Sequence, residues 1–560
     1  MSELTDAHDL LATLEGCLVT ASRHLAGATT VDGRIDDARL EVHQVAAYDL
    51  ASLSSGVAAA RALADQAAGA GAGTVVGELD ARLALVAAAD VAADLLGRTA
   101  GREAEFGLPP DPLGAVGAAL AAGRDQGLLA ALGGTVLATG EAGSRHLGED
   151  LEMVRATFRR FTEDRVLPVA EQVHRHDEDL PEEIITGLAE LGCFALSIPE
   201  AHGGFATGDE DELLNMVVVT EELSRGSLGV AGSLITRPEI IGTAILKGGT
   251  PQQKARWLPP IAAGERMCAV AVTEPDVGSD VAAVSTTARR DGGDWVLDGV
   301  KTWCTFAGRA EYLLVLARTD PDRSLGHRGL SLFVVEKPAA AGHHFAFEQA
   351  PDGTVGGTGG GRMEARAIPT IGYRGMHSFE VSLDGWRVPS DALIGEEEGL
   401  GRGFYLQMQA FANARLQTAA RAQGVMQAAL ERAVAYTGER RVFGQSIAAF
   451  PLTQVRLARM AATLAACRAL STQVARALAR GDDGAALAAS QVKQFACRAA
   501  EWVTREAQQL HGGYGYAEEY EVSRLFVDAR VLSIFEGTDE VLALKVIARG
   551  LLAREVVTGA

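Results

Sequence analysis

The stretch Ser533-Ile534-Phe535-Glu536-Gly537-Thr538-Asp539-Glu540 sets one carboxylate between an aromatic residue and a glycine. If buried, Glu536 loses hydration and becomes a base able to remove a carbon-bound proton. The same residues also read as a helix start, with Thr538 as N-cap and Glu540 leading an apolar run from Val541 to Ala548. The two readings are compatible. Other chemistry is thinly represented. Cys17, Cys193, Cys268, Cys304, Cys467 and Cys497 lie far apart, which predicts buried free thiols. The 12 histidines include His174/His176 and His343/His344, but none has a Cys or His partner at zinc-site spacing, so no metal is expected.

The elements that must position Glu536 can be read from composition and period. With 560 residues, 48% of them hydrophobic and only 5% aromatic, the chain can form several domains with aliphatic cores. A formal charge of −22 disfavours a nucleic-acid or anionic-membrane surface. No run of about 18 apolar residues is present, and the start Met1-Ser2-Glu3-Leu4-Thr5-Asp6 is acidic where a signal peptide is basic, which predicts a cytoplasmic protein.

Residues 1–147 are rich in Ala, Leu and Asp, and Leu83, Leu85, Val86, Ala89, Val91, Leu95 and Leu96 follow a helical period. Breaks at Gly69–Gly73 and Gly107–Pro110 divide this helical extension, which carries no chemical motif. A second helical domain, 148–267, opens with Leu151, Val154, Phe158 and Phe161 on one face. It continues through Pro181–Gly192, the turn Ala201–Phe205, Glu210–Ser224 and a helix begun by Thr250-Pro251. In 268–395 the period changes to that of short strands: Cys268–Thr273, Val284–Arg290, Trp295–Asp298, Tyr312–Arg318, Leu330–Glu336 and Ser378–Leu383. Gly292-Gly293 predicts a hairpin turn and the glycine-rich Gly353–Gly361 a mobile loop. Helices return in 396–560, at Arg415 to about Arg440, Leu452 to about Arg480, Gly484–Leu510 and Asp539–Leu552, which predicts a four-helix bundle. The fold class is α+β and mostly α.

Four further motifs accompany the Phe535-Glu536-Gly537-Thr538 ending: Val272-Thr273-Glu274-Pro275-Asp276-Val277-Gly278-Ser279-Asp280, Gly299-Val300-Lys301-Thr302-Trp303-Cys304-Thr305, Arg440-Arg441-Val442-Phe443-Gly444 and Leu510-His511-Gly512-Gly513-Tyr514-Gly515-Tyr516. Together and in this order they resemble the acyl-CoA dehydrogenase family over roughly residues 149–560. The resemblance implies an FAD cofactor and an acyl-CoA substrate. Glu536 would take the proton α to the thioester as a hydride leaves the β carbon for flavin N5, and the backbone amide of Glu536 would help bind the thioester oxygen. Thr273, Ser279, Trp303 and Thr305 suit the polar edge and face of a flavin, although strand packing alone also accounts for Trp303. Gly278 permits close backbone approach or simply marks a turn. Arg440 and Phe443 resemble contacts to the FAD pyrophosphate and adenine that cross to a neighbouring subunit, which implies a homo-oligomer, dimer or tetramer; for Arg440-Arg441 a solvated helix end is the plain alternative, as a helix C-cap is for Gly512-Gly513. Val272, Gln509, Gly512, Gly513, Phe535 and Thr538 complete the cofactor set. No Gly-x-Gly-x-x-Gly opens a βαβ unit, so FAD would not be held as in a Rossmann domain.

Within the family, the resemblance is to members with an added N-terminal region that oxidise (2S)-methylsuccinyl-CoA to mesaconyl-CoA. It rests on Glu222-Leu223-Ser224-Arg225-Gly226 followed by Thr236-Arg237, on Ile371–Met376, on Ala414–Ala422 and on Pro451 where many relatives have Gln. A dicarboxylyl substrate calls for a guanidinium. Arg225 and Arg237 are the candidates, with Arg415 serving CoA or the pocket rim and Ser279, Glu536 and Gly537 completing the substrate set. The chain departs from the wider family at Tyr514, Phe535 and Val442. Another short branched or dicarboxylyl acyl-CoA, an oxygen-reacting oxidase or monooxygenase, and a non-catalytic scaffold are the alternative readings. Electron-transfer flavoprotein is the acceptor that the resemblance implies.

Overall fold

The computed structural model describes residues 2–70 and 74–558. Packing divides the chain into two units, Met1–Met153 with Thr418–Ala560, and Val154–Gln417.

The Val154–Gln417 unit combines helices with one eight-stranded sheet. Its helices include Leu167–His176, Glu182–Glu190, Glu212–Gly226, Thr236–Gly248 and Pro251–Ala262. The last starts where Thr250 and Gln253 form a reciprocal capping box with proline in the first turn. The sheet strands are β1 (Cys268–Ala271), β2 (Thr287–Asp291), β3 (Asp294–Thr305), β4 (Tyr312–Arg318), β5 (Leu330–Glu336), β6 (His344–Glu348), β7 (Arg362–Ala367) and β8 (Ser378–Val388). Their order is β1-β4-β2-β3-β8-β7-β6, with β5 pairing β4. β4 is buried at every position because both faces are covered. Leu313, Val315 and Ala317 join a core that includes Val166, Val173 and Leu223, whereas Leu314 and Leu316 join one that includes Ile241, Ile245, Trp257 and Ile261.

The expected strands at Tyr312–Arg318 and Leu330–Glu336 have those bounds, and Asp291 pairs Asp294 across the Gly292-Gly293 turn. β3 runs on to Thr305, well past the expected end at Asp298, and β8 runs to Val388. β6 and β7 were not anticipated. Arg362–Ala367 is composed of good helix formers, and only the inward alternation of Met363 and Ala365 betrays a strand. Gly353–Gly361 is a loop whose backbone is pinned to β6 and its continuation by Gly356 N to Glu348 O and Gly360 N to Gln349 O, both 2.8 Å.

The other unit is helical. Its first segment contains Ser2–Thr29, Gln44–Gly69, Val75–Thr99 and Gln126–Thr139. The predicted break at Gly69–Gly73 falls partly on residues 71–73, outside the described residues, and the break at Gly107 is a left-handed turn. Its second segment contains Pro451–Arg480, Ala485–Leu510 and Glu521–Leu532, then Asp539–Val541, a wider turn over Leu542–Ala548 and Arg549–Thr558. The Gly403–Glu439 helix begins earlier than the expected Arg415 and contributes residues to both units. Glu521–Leu532 was not anticipated.

The N-terminal helices pack on this second segment. At Gly133 an added Cβ would stand 2.1 Å from the Gln454 carbonyl oxygen, so only glycine allows that approach. Gln44–Gly69 lays serines on Ala485–Leu510: Ser55 donates to Gln494 at 2.8 Å, Gln491 to Ser54 at 3.1 Å and Arg498 to Ser52 at 3.0 Å. All six cysteines are free and buried, as expected.

Candidate active site

Glu536 is held in the left-handed backbone region at φ +56°, followed by Gly537 at +101°. A non-glycine residue there costs about 1–2 kcal/mol, so the surrounding bonds must hold it. Three do. Arg421, fully buried, donates through Nη2 to both carboxylate oxygens at 2.7 and 2.8 Å, and Thr418 donates to Oε2. Arg421 also donates to the Thr418 hydroxyl at 2.6 Å and sits 4.7 Å over the Phe535 ring. Phenylalanine at 535 gives that guanidinium an aromatic face without a further polar group to satisfy. Behind the turn, buried Lys493 donates to the Gly537 carbonyl at 2.7 Å. Thr538 caps the next helix by accepting from Val541 N at 3.3 Å, so the helix-start reading of this stretch is also met. Burial pushes the Asp539 carboxyl up to about 6, against the pull of Lys493 and Arg498.

In the same unit, Arg440 lies 5.9 Å from the Tyr514 ring, which explains an aromatic residue at that position. Phe443 is 96% exposed at φ +49°, at the turn of the small hairpin formed by Arg441-Val442 and Gln445-Ser446. Gly512, at φ +60°, and Gly513 have open space beside them, and Gln509 is exposed.

In the sheet unit, the two motifs around Thr273 and Trp303 are tied together. Thr302 N donates to Thr273 O at 2.9 Å, and buried Lys301 donates to Val272 O at 3.0 Å and to Glu274 at 2.8 Å. Burial opposes ionisation of Glu274, but the Lys301 charge and bonds from Ser285 and Thr286 bring it down to about 2. Gly299, at φ +150°, lets β3 pass Thr286, whose Oγ1 would stand 2.5 Å from an added Cβ. Above this anchored base, Trp303 is 55% exposed at φ +58°, and Gly278 and Ser279 are exposed. Thr305 is buried, with its hydroxyl bonded to Ser378 at 2.9 Å. An exposed indole on a strained but anchored strand fits the face of a planar group such as a flavin. Of the ten non-glycine residues at positive φ among the described residues, Trp303, Tyr373, Phe443 and Glu536 fall within the motifs singled out in the sequence.

The candidate substrate arginines differ in their partners. Arg225 is buried and bonded to Glu163 at 3.1 Å. Arg237 is equally buried, donates to the Ser233 carbonyl at 3.2 Å and lies 6.0 Å from the Tyr373 ring. Among the described residues it makes no ion pair. Next to it, the buried Thr236 hydroxyl has no hydrogen-bond partner among the described residues. The Arg374 carbonyl would stand 2.1 Å from a Cβ on Gly229, so the segments around Arg237 and Tyr373, separate in sequence, share one site. Arg415 is half-buried on the Gly403–Glu439 helix. Sequence reasoning missed Thr418, Arg421 and Lys493; Thr418 and Arg421 lay inside a run noted only for its resemblance.

Models of the acyl-CoA dehydrogenase N-terminal, middle and C-terminal domains match residues 148–265, 269–385 and 401–552. The chain belongs to the acyl-CoA dehydrogenase family, whose members are oxidoreductases acting on CH–CH bonds. It is similar to the (2S)-methylsuccinyl-CoA dehydrogenase of Cereibacter sphaeroides, 40% identical over 559 residues, 98% of each chain. That alignment includes the N-terminal helices, which the family models leave out. A chain in a structure of the electron transferring flavoprotein of Acidaminococcus fermentans superposes with TM-score 0.65 at 31% identity, covering 72% of this chain and 98% of that one. The glutaryl-CoA dehydrogenase of Mycobacterium smegmatis in complex with FADH2 gives 0.60 at 28%, covering 72% and 95%. No helix among the described residues is long and apolar enough to cross a membrane.

Proposed function

We propose that this chain is an FAD-dependent dehydrogenase that converts (2S)-methylsuccinyl-CoA to mesaconyl-CoA, with Glu536 as the base. The observation that carries the reading is Glu536 itself, a carboxylate fixed on a strained turn by Arg421 and Thr418. Arg421 supplies its counter-charge, so the base can sit in a buried place without a free negative charge there. Glu536 removes the proton α to the thioester, and its backbone amide would donate to the thioester oxygen where charge develops. FAD, when bound, supplies the acceptor for the hydride that leaves the β carbon. Val272, Thr273, Gly278, Ser279, Trp303 and Thr305 would hold the flavin, and Gln509, Gly512, Gly513, Phe535, Thr538, Arg440 and Phe443 would hold the rest of the cofactor, the last two across a homo-oligomer.

Arg237 supports the choice of substrate. Its buried guanidinium lacks a carboxylate among the described residues, and the terminal carboxylate of methylsuccinyl-CoA supplies one. Arg225, already bonded to Glu163, is the weaker candidate. Electron-transfer flavoprotein is the acceptor we assign, in keeping with the Acidaminococcus structure.

Anaerobic bleaching of the bound flavin by (2S)-methylsuccinyl-CoA, ethylmalonyl-CoA, glutaryl-CoA, butyryl-CoA and isobutyryl-CoA tests the reading. Fast bleaching by methylsuccinyl-CoA alone is expected, and Glu536→Gln should keep FAD but abolish it. Equal bleaching by butyryl-CoA would discard the substrate, and normal reduction in Glu536→Gln would discard the base.

A further inference from the structure

We propose that His343, His377 and Asp179 form a binding site for one divalent transition-metal ion, zinc being the natural fit, with Asp177 as a supporting carboxylate. Spacing along the sequence hides the site, because His343 and His377 are 34 residues apart. In the fold their Nε2 atoms face each other at 3.1 Å, with ring centroids 4.3 Å apart and planes at 70°. Asp179 Oδ1 lies 3.2 Å from the same His377 Nε2. Asp177 Oδ1 lies 3.7 Å from His377 Nδ1. Ligand atoms of Asp177, His343 and His377 all fall within 4.8 Å of one another.

The spacings of His377 Nε2 from His343 Nε2 and from Asp179 Oδ1 suit a shared ion. In a tetrahedral zinc site with bonds of about 2.05 Å, neighbouring ligand atoms stand about 3.3 Å apart. Without an ion, His377 Nε2 has a single proton at most, and two electron-rich atoms compete for it. The local backbone is also strained where the ligands are: Asp177 is at φ +54° and His377 at φ +46°. Such strain persists only where surrounding bonds fix it. Phe306 N donates to His377 O at 2.8 Å, Ala367 N to His343 O at 2.8 Å, and Gly342 N to Asp179 Oδ2 at 2.6 Å.

The charges assign the ligands. Arg374 Nε stands 3.4 Å from Asp177 Oδ1 and already answers that carboxylate. Asp179 is therefore the anionic ligand, and Asp177 steadies the far side of the His377 ring, as carboxylates commonly do behind metal-bound histidines. Two imidazoles and one carboxylate form the borderline donor set that zinc takes, with water completing the sphere. His343 and Asp179 are exposed, so an ion has access. Bound there, it would join the segment after Leu167–His176 to the starts of β6 and β8.

The test uses the full-length flavoprotein, stripped of adventitious metal by dialysis against a chelator and titrated with zinc chloride against a chromophoric competitor. One zinc per chain is expected. His343→Ala and Asp179→Asn should each weaken it at least tenfold while FAD content and substrate bleaching stay as in the parent protein. Zinc should also raise the melting temperature of the parent protein and of neither variant. Absence of a stoichiometric zinc site, or equal zinc affinity in parent and both variants, would overturn the proposal and leave a plain His–His hydrogen bond.

Discussion

Lys493→Met removes the ammonium that holds the Gly537 carbonyl, and it should slow the reaction without emptying the substrate site. Lys493 is fully buried, its bond to Gly537 O is 2.7 Å, and the residue before that glycine carries the base at φ +56°. A hydrogen bond to a charged group contributes about 1.5–3 kcal/mol, whereas the left-handed backbone of Glu536 costs about 1–2 kcal/mol. The two are of similar size, so losing the first lets the second relax the turn. At about 1.4 kcal/mol per factor of ten, positioned Glu536 becomes about 10- to 150-fold rarer. Stopped-flow flavin reduction should fall by that factor, with little change in the acyl-CoA concentration giving half the maximal rate. Lys493→Arg should recover part of the rate, because it restores a cation able to reach the carbonyl. FAD content and the melting curve distinguish a misfolded variant from a mispositioned base. A folded, flavin-loaded Lys493→Met protein that is reduced at the parent rate would refute the role given to Lys493.

Arg237→Met should weaken methylsuccinyl-CoA by about 30-fold or more while changing butyryl-CoA by only a few fold, since truncating one partner of a buried charge pair costs about 2–5 kcal/mol. Equal losses for both thioesters would show that the carboxylate binds elsewhere; Arg225→Met, which breaks the bond to Glu163, should chiefly lower stability. Asp539 gives a pH prediction. Burial raises its folded value to about 6, so its contribution is complete below about pH 4 and disappears as pH rises through 6. That rise to about 6 corresponds to about 3 kcal/mol. Between pH 4 and 7.5 the parent protein should lose about that much urea stability relative to Asp539→Asn, and parallel profiles would contradict the burial argument.

The sequence made the architecture legible wherever one physical signal dominated. Tyr312–Arg318 and Leu330–Glu336 are apolar on both faces and bounded by turns, so their limits could be read to the residue. Arg362–Ala367 lost that signal because half of its strand faces outward and carries helix-forming side chains. The Gly403–Glu439 helix was cut short for a related reason. Its apolar positions before Arg415 are interrupted by Gln407, Gln409 and Asn413, and buried Gln407 breaks the apolar period there.

The site divides along another line. Glu536, Trp303 and Phe443 were visible because an unusual residue stands beside glycine or within a short distinctive string, and each adopts the backbone strain that such strings accommodate. Arg421 and Lys493 were not, because what matters about them is a contact made across 115 and 44 residues. Nothing in a helical period separates a buried arginine that grips a carboxylate from one that snorkels to solvent. The rule that a buried charge needs a partner does separate them, but only after burial is known. Applied here, it distinguishes Arg225, whose charge Glu163 already answers, from Arg237, which makes no ion pair among the described residues. Two arginines equivalent in sequence thus become unequal, and the dicarboxylyl substrate is assigned to the one whose buried charge still needs an anion.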